Sequence, residues 1–169
     1  MVDSGQNFKY NEGTIEGGIK VLNERLYKHQ LDAKNRMRIP AKLREGLGDG
    51  YSITCAAGGC LSVMSKAETD ELLNKFSKVS RFNAKAQKVI RFFVSNLWEA
   101  EEDKQGRILI PENLRKFAKL DKNLIILRNV NGIEIWSEEV WNEYMSDMDI
   151  NGLDEQLEEL DSVFEGADL

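Results

Sequence analysis

Apolar and polar residues alternate over short distances along this 169-residue chain, and Gly, Asn and Asp stand between many of the apolar runs. The runs at 51–54 and 124–127 are typical of strands, and the turn-forming pairs at 58–59 and 131–132 predict that each leads into a further strand. We interpret 22–31 as a first strand. The pattern therefore predicts a chain built largely from short strands.

Two segments of the first hundred residues predict helices. Ser65, followed by Glu68 three residues later, forms a capping box that predicts a helix to about Lys78. Asn83 predicts the cap of a second helix that ends near Val94. The apolar face of this second helix is expected to comprise Ala86, Val89, Ile90, Phe93 and Leu97.

One motif occurs twice in the chain. Residues 32–44 read DAKNRMRIPAKLR, and 71 residues later 103–115 read DKQGRILIPENLR. Asp, Arg, Ile, Pro, Leu and Arg recur in register, and the matched prolines are the only two in the protein. Because a solenoid needs at least about three stacked units, two copies predict a pseudo-dimer in which each half buries its apolar face against the other.

Each copy opens with residues typical of a hairpin turn. Asp32 and Asp103 can bond their own backbone two residues on, which favours a turn. Gly106 indicates that the fourth position adopts a positive φ, and Asn35, at the matching position, is the next-best residue for that conformation. We expect Asp32, Asn35, Asp103 and Gly106 to be structural.

Strands are predicted to follow these turns at 36–39 and 107–110. Pro40 and Pro111 come next, and each is expected at a strand-to-helix junction, where the fixed φ of proline suits the first helical turn. Both prolines are therefore interpreted as structural residues. A proline within a central strand would contradict this interpretation.

Charge is unevenly distributed. Residues 146–169 hold nine of the 29 acidic residues and no Lys or Arg, so 20 acidic and 23 basic residues give 1–145 a net charge of +3. A basic body favours an anionic partner. In the acidic tail, helical spacing predicts a helix from about Asp154 to Phe164 that either docks or frays. Its apolar stripe comprises Leu153, Leu157, Leu160 and Phe164.

The pattern predicts five segments. They are a flexible leader over 1–21, which is polar and contains four glycines, a first half over 22–78, a linking helix over 79–97, a second half over 98–145 and the acidic tail over 146–169. No run approaches the roughly 18 apolar residues of a membrane span, and no secretory signal is visible. We therefore expect a cytoplasmic protein with no membrane partner.

Few residues suit catalysis or metal binding. Cys55 and Cys60 lie in apolar, strand-like surroundings and are interpreted as buried thiols, and His29 as a strand residue beside the turn. A structural zinc usually needs about four Cys or His ligands. The carboxylates at 101–103 have no nucleophile nearby, so we expect no catalytic residues, no metal, no cofactor and no small-molecule substrate.

The three tryptophans have a simpler interpretation. Trp98, Trp136 and Trp141 are expected to anchor the core or a subunit interface, because large aromatic side chains contribute most to burial at such places.

Basic residues cluster around the first motif. On a strand Lys34, Arg36 and Arg38 lie on one face about 6.6 Å apart, while Met37 and Ile39 face the core. Cations in a row suit phosphates, although a solvated face with scattered ion pairs is an alternative. The equivalent second-copy face, Gln105, Arg107 and Leu109, is less basic. The predicted DNA-binding residues are Lys34, Arg36, Arg38, Lys42, Arg44, Lys104, Arg107 and Arg115.

The motif Asp-x-x-Gly/Asn-Arg-x-x-Ile-Pro-x-x-Leu-Arg resembles the signature of the AbrB/SpoVT family of bacterial DNA-binding domains. Two copies joined by a helix containing 89–93, with flanks at 27–34 and 134–137, are similar to the MraZ family of transcriptional regulators. The resemblance covers about residues 23–145. Asn35 departs from the usual Gly, and we expect little change from it.

The resemblance implies a mainly β fold with helices (α+β), a double-split β-barrel built from two homologous halves and capped by helices. It also implies a ring-shaped homo-oligomer that binds direct repeats in double-stranded promoter DNA, upstream of the cell-division and cell-wall gene cluster. Such a regulator would be cytoplasmic and nucleoid-associated.

Other functional classes are also compatible with the sequence. An oligomeric interaction scaffold with the same fold and weak DNA binding is favoured by the negative net charge and the less basic second copy. A shorter antitoxin of the same superfamily has a single motif copy, which argues against it here. An enzyme is the class that these residues favour least.

Overall fold

The computed structural model describes residues 14–16, 19–21, 23 and 25–166. Its first part contains β1 (Thr14–Glu16), β2 (Ile19–Val21), β3 (Leu26–Gln30), β4 (Arg36–Met37), α1 (Ala41–Glu45), β5 (Tyr51–Cys55), β6 (Leu61–Ser65) and α2 (Lys66–Ser77). Then follow α3 (Ala84–Ser95), β7 (Trp98–Glu99), β8 (Ile108–Leu109), α4 (Glu112–Phe117), β9 (Asn123–Asn129), β10 (Gly132–Ser137), α5 (Glu138–Tyr144) and α6 (Ile150–Gly166).

The strands form two antiparallel sheets that join the two motif copies. The larger sheet has the order β1-β2-β3-β9-β10-β6-β5-β7, and β4 pairs with β8 in the smaller one. The first strand of each copy pairs with a later strand of the other copy, since Tyr27 lies opposite Ile126 and Trp98 opposite Ile53. This reciprocal pairing makes the chain a pseudo-dimer, as the repeat predicts.

One buried cluster spans both sheets. In the small sheet Met37 and Ile108 are partners in register, and both are almost completely buried. Ile39 and Ile110 extend the same buried row toward α1 and α4. A second cluster contains Trp136 and Trp141, whose rings meet edge to face at 5.4 Å, whereas Trp98 is half exposed. Two of the three tryptophans are thus confirmed as core anchors.

Helix starts follow the predicted capping chemistry. Ser65 and Glu68 form a complete capping box at α2, and the Asn83 side chain accepts the N–H of Ala86 at the start of α3. Pro40 and Pro111 stand at the N-caps of α1 and α4, one residue before the helical position that their fixed φ suggests. The predicted strand-to-helix junctions are confirmed.

The structure corrects the prediction for the leader. Residues 14–16 and 19–21 are paired strands, and Ile19 is buried, so the flexible leader predicted over 1–21 is wrong for these six residues. Residues 1–13 and 17–18 lie outside the described part of the chain. The two strands extend the edge of the large sheet beyond β3, where a polar composition gives no sign of pairing.

The turn at residues 32–35 is not a hairpin. β3 pairs with β2 and β9, whereas β4 pairs with β8, so the chain leaves one sheet for the other at this turn. The strands after the two turns are also shorter than predicted, two residues instead of four. Both differences arise because the partner strands come from the other copy, which local sequence does not specify.

Two amphipathic helices are less covered than their patterns suggest. On α3, Ala86, Ile90 and Phe93 are half-buried, as is Leu97 just beyond the helix end. Val89 is 62% exposed, so its assignment to the buried face is wrong. The predicted tail helix is confirmed as α6, and its leucines remain 44–48% exposed. None of the helices within the described ranges is both long and apolar enough to cross a membrane.

Candidate nucleic-acid interface

The first-copy turn is organised by a single carboxylate. Asp32 Oδ1 accepts the backbone N–H groups of Lys34 at 2.8 Å and Arg36 at 3.0 Å. Asn35 adopts a positive φ of 58°, the conformation predicted for this position. The Arg36 guanidinium folds back onto Asp32 Oδ2 through its Nε at 2.9 Å and its Nη2 at 2.8 Å.

The second-copy turn repeats this geometry. Asp103 Oδ1 accepts the backbone N–H groups of Gln105 at 2.9 Å and Arg107 at 3.0 Å. Gly106 has a φ of 71°, which is common for glycine and rare for other residues. Arg107 Nε and Nη2 both lie 2.8 Å from Asp103 Oδ2. The prediction that Asp32 and Asp103 are structural turn residues is confirmed, and each also pairs with the Arg four residues on.

The two turns contact each other. Arg36 Nη1 lies 3.5 Å from Asp103 Oδ2, and Arg107 Nη1 lies 3.9 Å from Asp32 Oδ2. We call these four residues, Asp32, Arg36, Asp103 and Arg107, the turn cluster. Each of their side chains keeps between a quarter and a third of its surface exposed. The cluster holds the turns side by side, so residues at the turn tips share one surface.

Hydrogen bonds in the turn cluster stabilise the ionised carboxylates. The backbone N–H of Arg36 makes the largest contribution and, with the Arg36 guanidinium, lowers the pKa of Asp32 to about 2. The side chain of Arg107 contributes most at Asp103, whose pKa falls well below its usual range. Both carboxylates therefore stay charged through the neutral range and keep the turns closed.

Four of the eight predicted DNA-binding residues are engaged by groups of the protein itself. Arg36 and Arg107 belong to the turn cluster. Arg44 donates to Glu102 Oε1 and to the carbonyl of Gly48, and its guanidinium lies 5.0 Å from the ring centre of Tyr51. Arg115 Nε donates to the Ile110 carbonyl at 3.1 Å. Contacts within the protein therefore hold these four arginine side chains against its surface.

The other four predicted cations are exposed. Lys34 lies in the first turn, Lys104 in the second, Arg38 after β4 and Lys42 on α1. Within the described part of the chain, none of these four side chains forms an ion pair. They are the cations best placed to reach an external anion.

Two of the three carboxylates that follow β7, Glu102 and Asp103, have structural partners. Glu102 accepts hydrogen bonds from Arg44 at 2.5 Å and from the Tyr51 hydroxyl at 2.9 Å. Burial is the largest cause of the raised pKa of Tyr51, and the bond to Glu102 adds to it. Glu102, like Asp103, thus fastens one copy to the other. This role is not predictable from the sequence, because nothing in the local pattern links Arg44 to a residue 58 positions away.

His29 and the cysteines have the predicted surroundings. His29 lies on β3, and its Nε2 accepts the backbone N–H of Arg38 at 3.2 Å, beside the first turn. Burial, followed by the charge of Arg38, lowers its pKa. Cys55 and Cys60 are buried free thiols, and burial raises the pKa of Cys60 to about 12.

Comparison with known proteins gives a consistent result. A family model described as "MraZ protein, putative antitoxin-like" matches residues 25–92 and again 94–163. Proteins named "Transcriptional regulator MraZ" are similar to this chain over most of their length. The one from Clostridium acetobutylicum is 43% identical over 135 residues, 79% of this chain and 95% of the relative. That from Thermoanaerobacter sp. strain X514 is 42% identical over 137 residues, 81% and 95% respectively.

Proposed function

Because this chain belongs to the MraZ family of transcriptional regulators, we propose that it binds double-stranded DNA in a sequence-specific manner and regulates transcription. The observation that supports the proposal is the turn cluster, whose ion pairs link two turns that each carry an exposed lysine. The placement of these cations matters because phosphate contacts fix register and base contacts then specify sequence. No step of this function requires an enzyme activity or a cofactor.

The exposed cations supply the contacts. Lys34 and Lys104 would meet phosphates from the two turns, with Arg38 and Lys42 beside them. The engaged arginines, Arg36, Arg44, Arg107 and Arg115, would act by holding the surface in shape or by donating their remaining N–H groups. Four cations make few contacts for tight binding, so affinity must come from several subunits acting together.

We therefore propose a ring-shaped homo-oligomer on promoter direct repeats, upstream of the cell-division and cell-wall gene cluster. Repeats spaced by about one helical turn, or roughly 10 bp, would present the same face of the duplex to successive subunits. We further propose that the two sheets curve into the double-split barrel, since one buried cluster joins them. The protein would act in the cytoplasm, at the nucleoid.

A gel-shift titration tests the proposal. The probe is the DNA upstream of the gene, the competitor is the same DNA with shuffled repeats, and each is titrated at two salt concentrations. Lys34→Gln with Arg38→Gln should weaken binding to both DNAs and lower the salt slope by about one unit per lost phosphate contact. Lys75→Gln, which removes an exposed cation from α2, is the matched control. Equal affinity for native and shuffled DNA would contradict sequence-specific recognition.

A second candidate function is an oligomeric interaction scaffold with weak DNA binding. The observation that favours it is the engagement of four predicted DNA-binding arginines within the protein. In that case the Lys34→Gln, Arg38→Gln protein and the parent would bind DNA equally weakly at physiological salt.

A further inference from the structure

The acidic helix α6 presents an apolar stripe that its own chain leaves open. Leu153, Leu157 and Leu160 recur on one face, and all are 44–48% exposed although they stand at the spacing of a buried face. Asp154, Glu158 and Asp161 run along one edge of that stripe at matching intervals of four and three. The helix contains no Lys or Arg.

The linking helix α3 presents the complementary pattern. Lys85, Lys88, Val89 and Phe92 follow the i, i+3, i+4, i+7 spacing of one helix face, and all four are exposed. Phe92 also contacts the ring of Phe117 at 5.8 Å, which widens the apolar area toward α4. We call these five residues the linker patch. Helix α3 contains three cations and no acidic residue.

We infer that α6 of one copy of this chain docks on the linker patch of a second copy. The stripe of α6 would cover Val89 and Phe92, and its acidic edge would face Lys85 and Lys88. Apolar burial supplies most of the stabilisation, since exposed ion pairs contribute little individually but select the orientation. The inference rests on the self-association in the proposed function and does not depend on DNA binding.

A second copy fits better than the same chain. In the folded monomer the stripe of α6 and the linker patch are both exposed. The helix that precedes α6 packs on β9 and β10, whereas α3 contacts β5 through the bond from Thr54 to the Phe93 carbonyl. Strand β6 separates β10 from β5 in the large sheet. Docking between copies would cover the stripe of α6 and the linker patch together, and each copy has one stripe and one patch.

DNA is a less suitable occupant of the linker patch. Phosphates would pair with Lys85 and Lys88, but Val89 and Phe92 on the same helix face would stay in contact with water or with charged groups. An amphipathic acidic helix matches the cations and the apolar residues together.

Cysteine cross-linking tests the contact in the full chain, without DNA. A tagged chain with Val89→Cys is mixed with an untagged chain carrying Leu157→Cys and is oxidised mildly. We expect a mixed disulfide-linked dimer, and none with Glu155→Cys, which lies away from the stripe. Cys55 and Cys60 are buried, so the parent should stay monomeric on a denaturing gel. A disulfide within one chain carrying both substitutions, in place of the mixed dimer, would overturn the inference.

Charge reversal gives an independent readout. Lys85→Glu with Lys88→Glu should raise the self-dissociation constant, measured by sedimentation, by about tenfold or more. Mixing this variant with a chain that carries Asp154→Lys and Glu158→Lys should restore tight association. Lys75→Glu with Lys78→Glu is the matched control. Weaker DNA binding with unchanged assembly would assign the linker patch to DNA instead. If the parent assembles but the cysteine variants do not cross-link and charge reversal does not change the self-dissociation constant, the inference is overturned and the proposed ring is not. If the parent never assembles, the proposed ring is contradicted as well.

Discussion

Asp32 and Asp103 each receive two backbone N–H groups and a guanidinium, so each turn depends on one carboxylate. The arginines complete these turns and then reach across to the other copy. Turn geometry thus explains why Asp and Arg are separated by four positions in both copies. Binding would use the neighbours of this cluster.

Acid should weaken the fold through Asp32. Its folded pKa of about 2 lies below the value of about 3.9 in an unfolded chain. The resulting stability is fully present above about pH 4 and is lost as the pH falls toward 2, because the unfolded state then binds more protons. Urea unfolding at pH 7, 4 and 3 measures it. Asp32→Asn should be less stable at pH 7 and show a shallower fall; parallel pH curves would contradict this assignment.

Gly106 should be sensitive to substitution for a backbone reason alone. A Cβ at this position would meet nothing within 4 Å, but the φ of 71° is unfavourable for residues with a side chain. We expect Gly106→Ala to lower the free energy of unfolding by about 1 kcal/mol. Gly50→Ala is the matched control, since Gly50 is equally open and has no positive φ. Equal effects in urea titrations would contradict the φ argument.

At the scale of the element, side-chain caps determine where the main helices begin. Ser65 caps α2 by accepting the Glu68 N–H, while the Glu68 carboxylate returns to the Ser65 backbone at 2.7 Å. Asn83 plays the corresponding part at α3. Strands β4 and β8, by contrast, are only two residues long and depend on each other across the copies.

Loss of the Ser65 cap should destabilise α2 measurably. Ser65→Ala leaves an N–H at the first turn without its acceptor, and we expect a loss of about 1 kcal/mol in the free energy of unfolding. Ser77→Ala is the matched control, since its hydroxyl donates to the Asn74 carbonyl in the last turn and caps no N-terminus. Thermal unfolding monitored by circular dichroism distinguishes the two. A Ser77 variant as unstable as the Ser65 variant would count against the capping argument.

At the scale of the whole molecule, opposite charges are separated between body and tail. The net charge of −6 conceals a basic body, and α6 holds acidic residues on faces away from its apolar stripe. A tail that carries net negative charge repels the phosphates of DNA of any sequence. We therefore expect the tail to reduce non-specific binding at low salt.

Neutralising the outer face of α6 tests this effect without altering the stripe. Glu155→Gln with Glu159→Gln should raise affinity for random-sequence DNA severalfold at low salt. At high salt the change should vanish, because fields between separated charges are screened beyond roughly 3 Å at 1 M. Fluorescence anisotropy with one random duplex measures both conditions. A gain that persists at high salt would indicate a direct contact instead of a long-range field.

Much of the candidate site follows from short-range sequence. The Asp turn, the positive φ at Asn35, the capping box at Ser65 and the buried Met37 are confirmed, because each depends on a few neighbouring residues. The hydrogen bond from Arg44 to Glu102 could not be predicted from short-range sequence, because Glu102 lies in the other copy.

The duplication, most of the helices, the turn residues and the family were predictable from the sequence, because periodicity, capping residues and repeated motifs can be read along the chain. The three-dimensional structure was needed to show that β3 and β4 belong to different sheets and that each copy pairs with strands of the other. It was also needed to show which cations remain exposed. Strand pairing and ion pairs join residues far apart in the chain, so their partners come together only when both copies have folded.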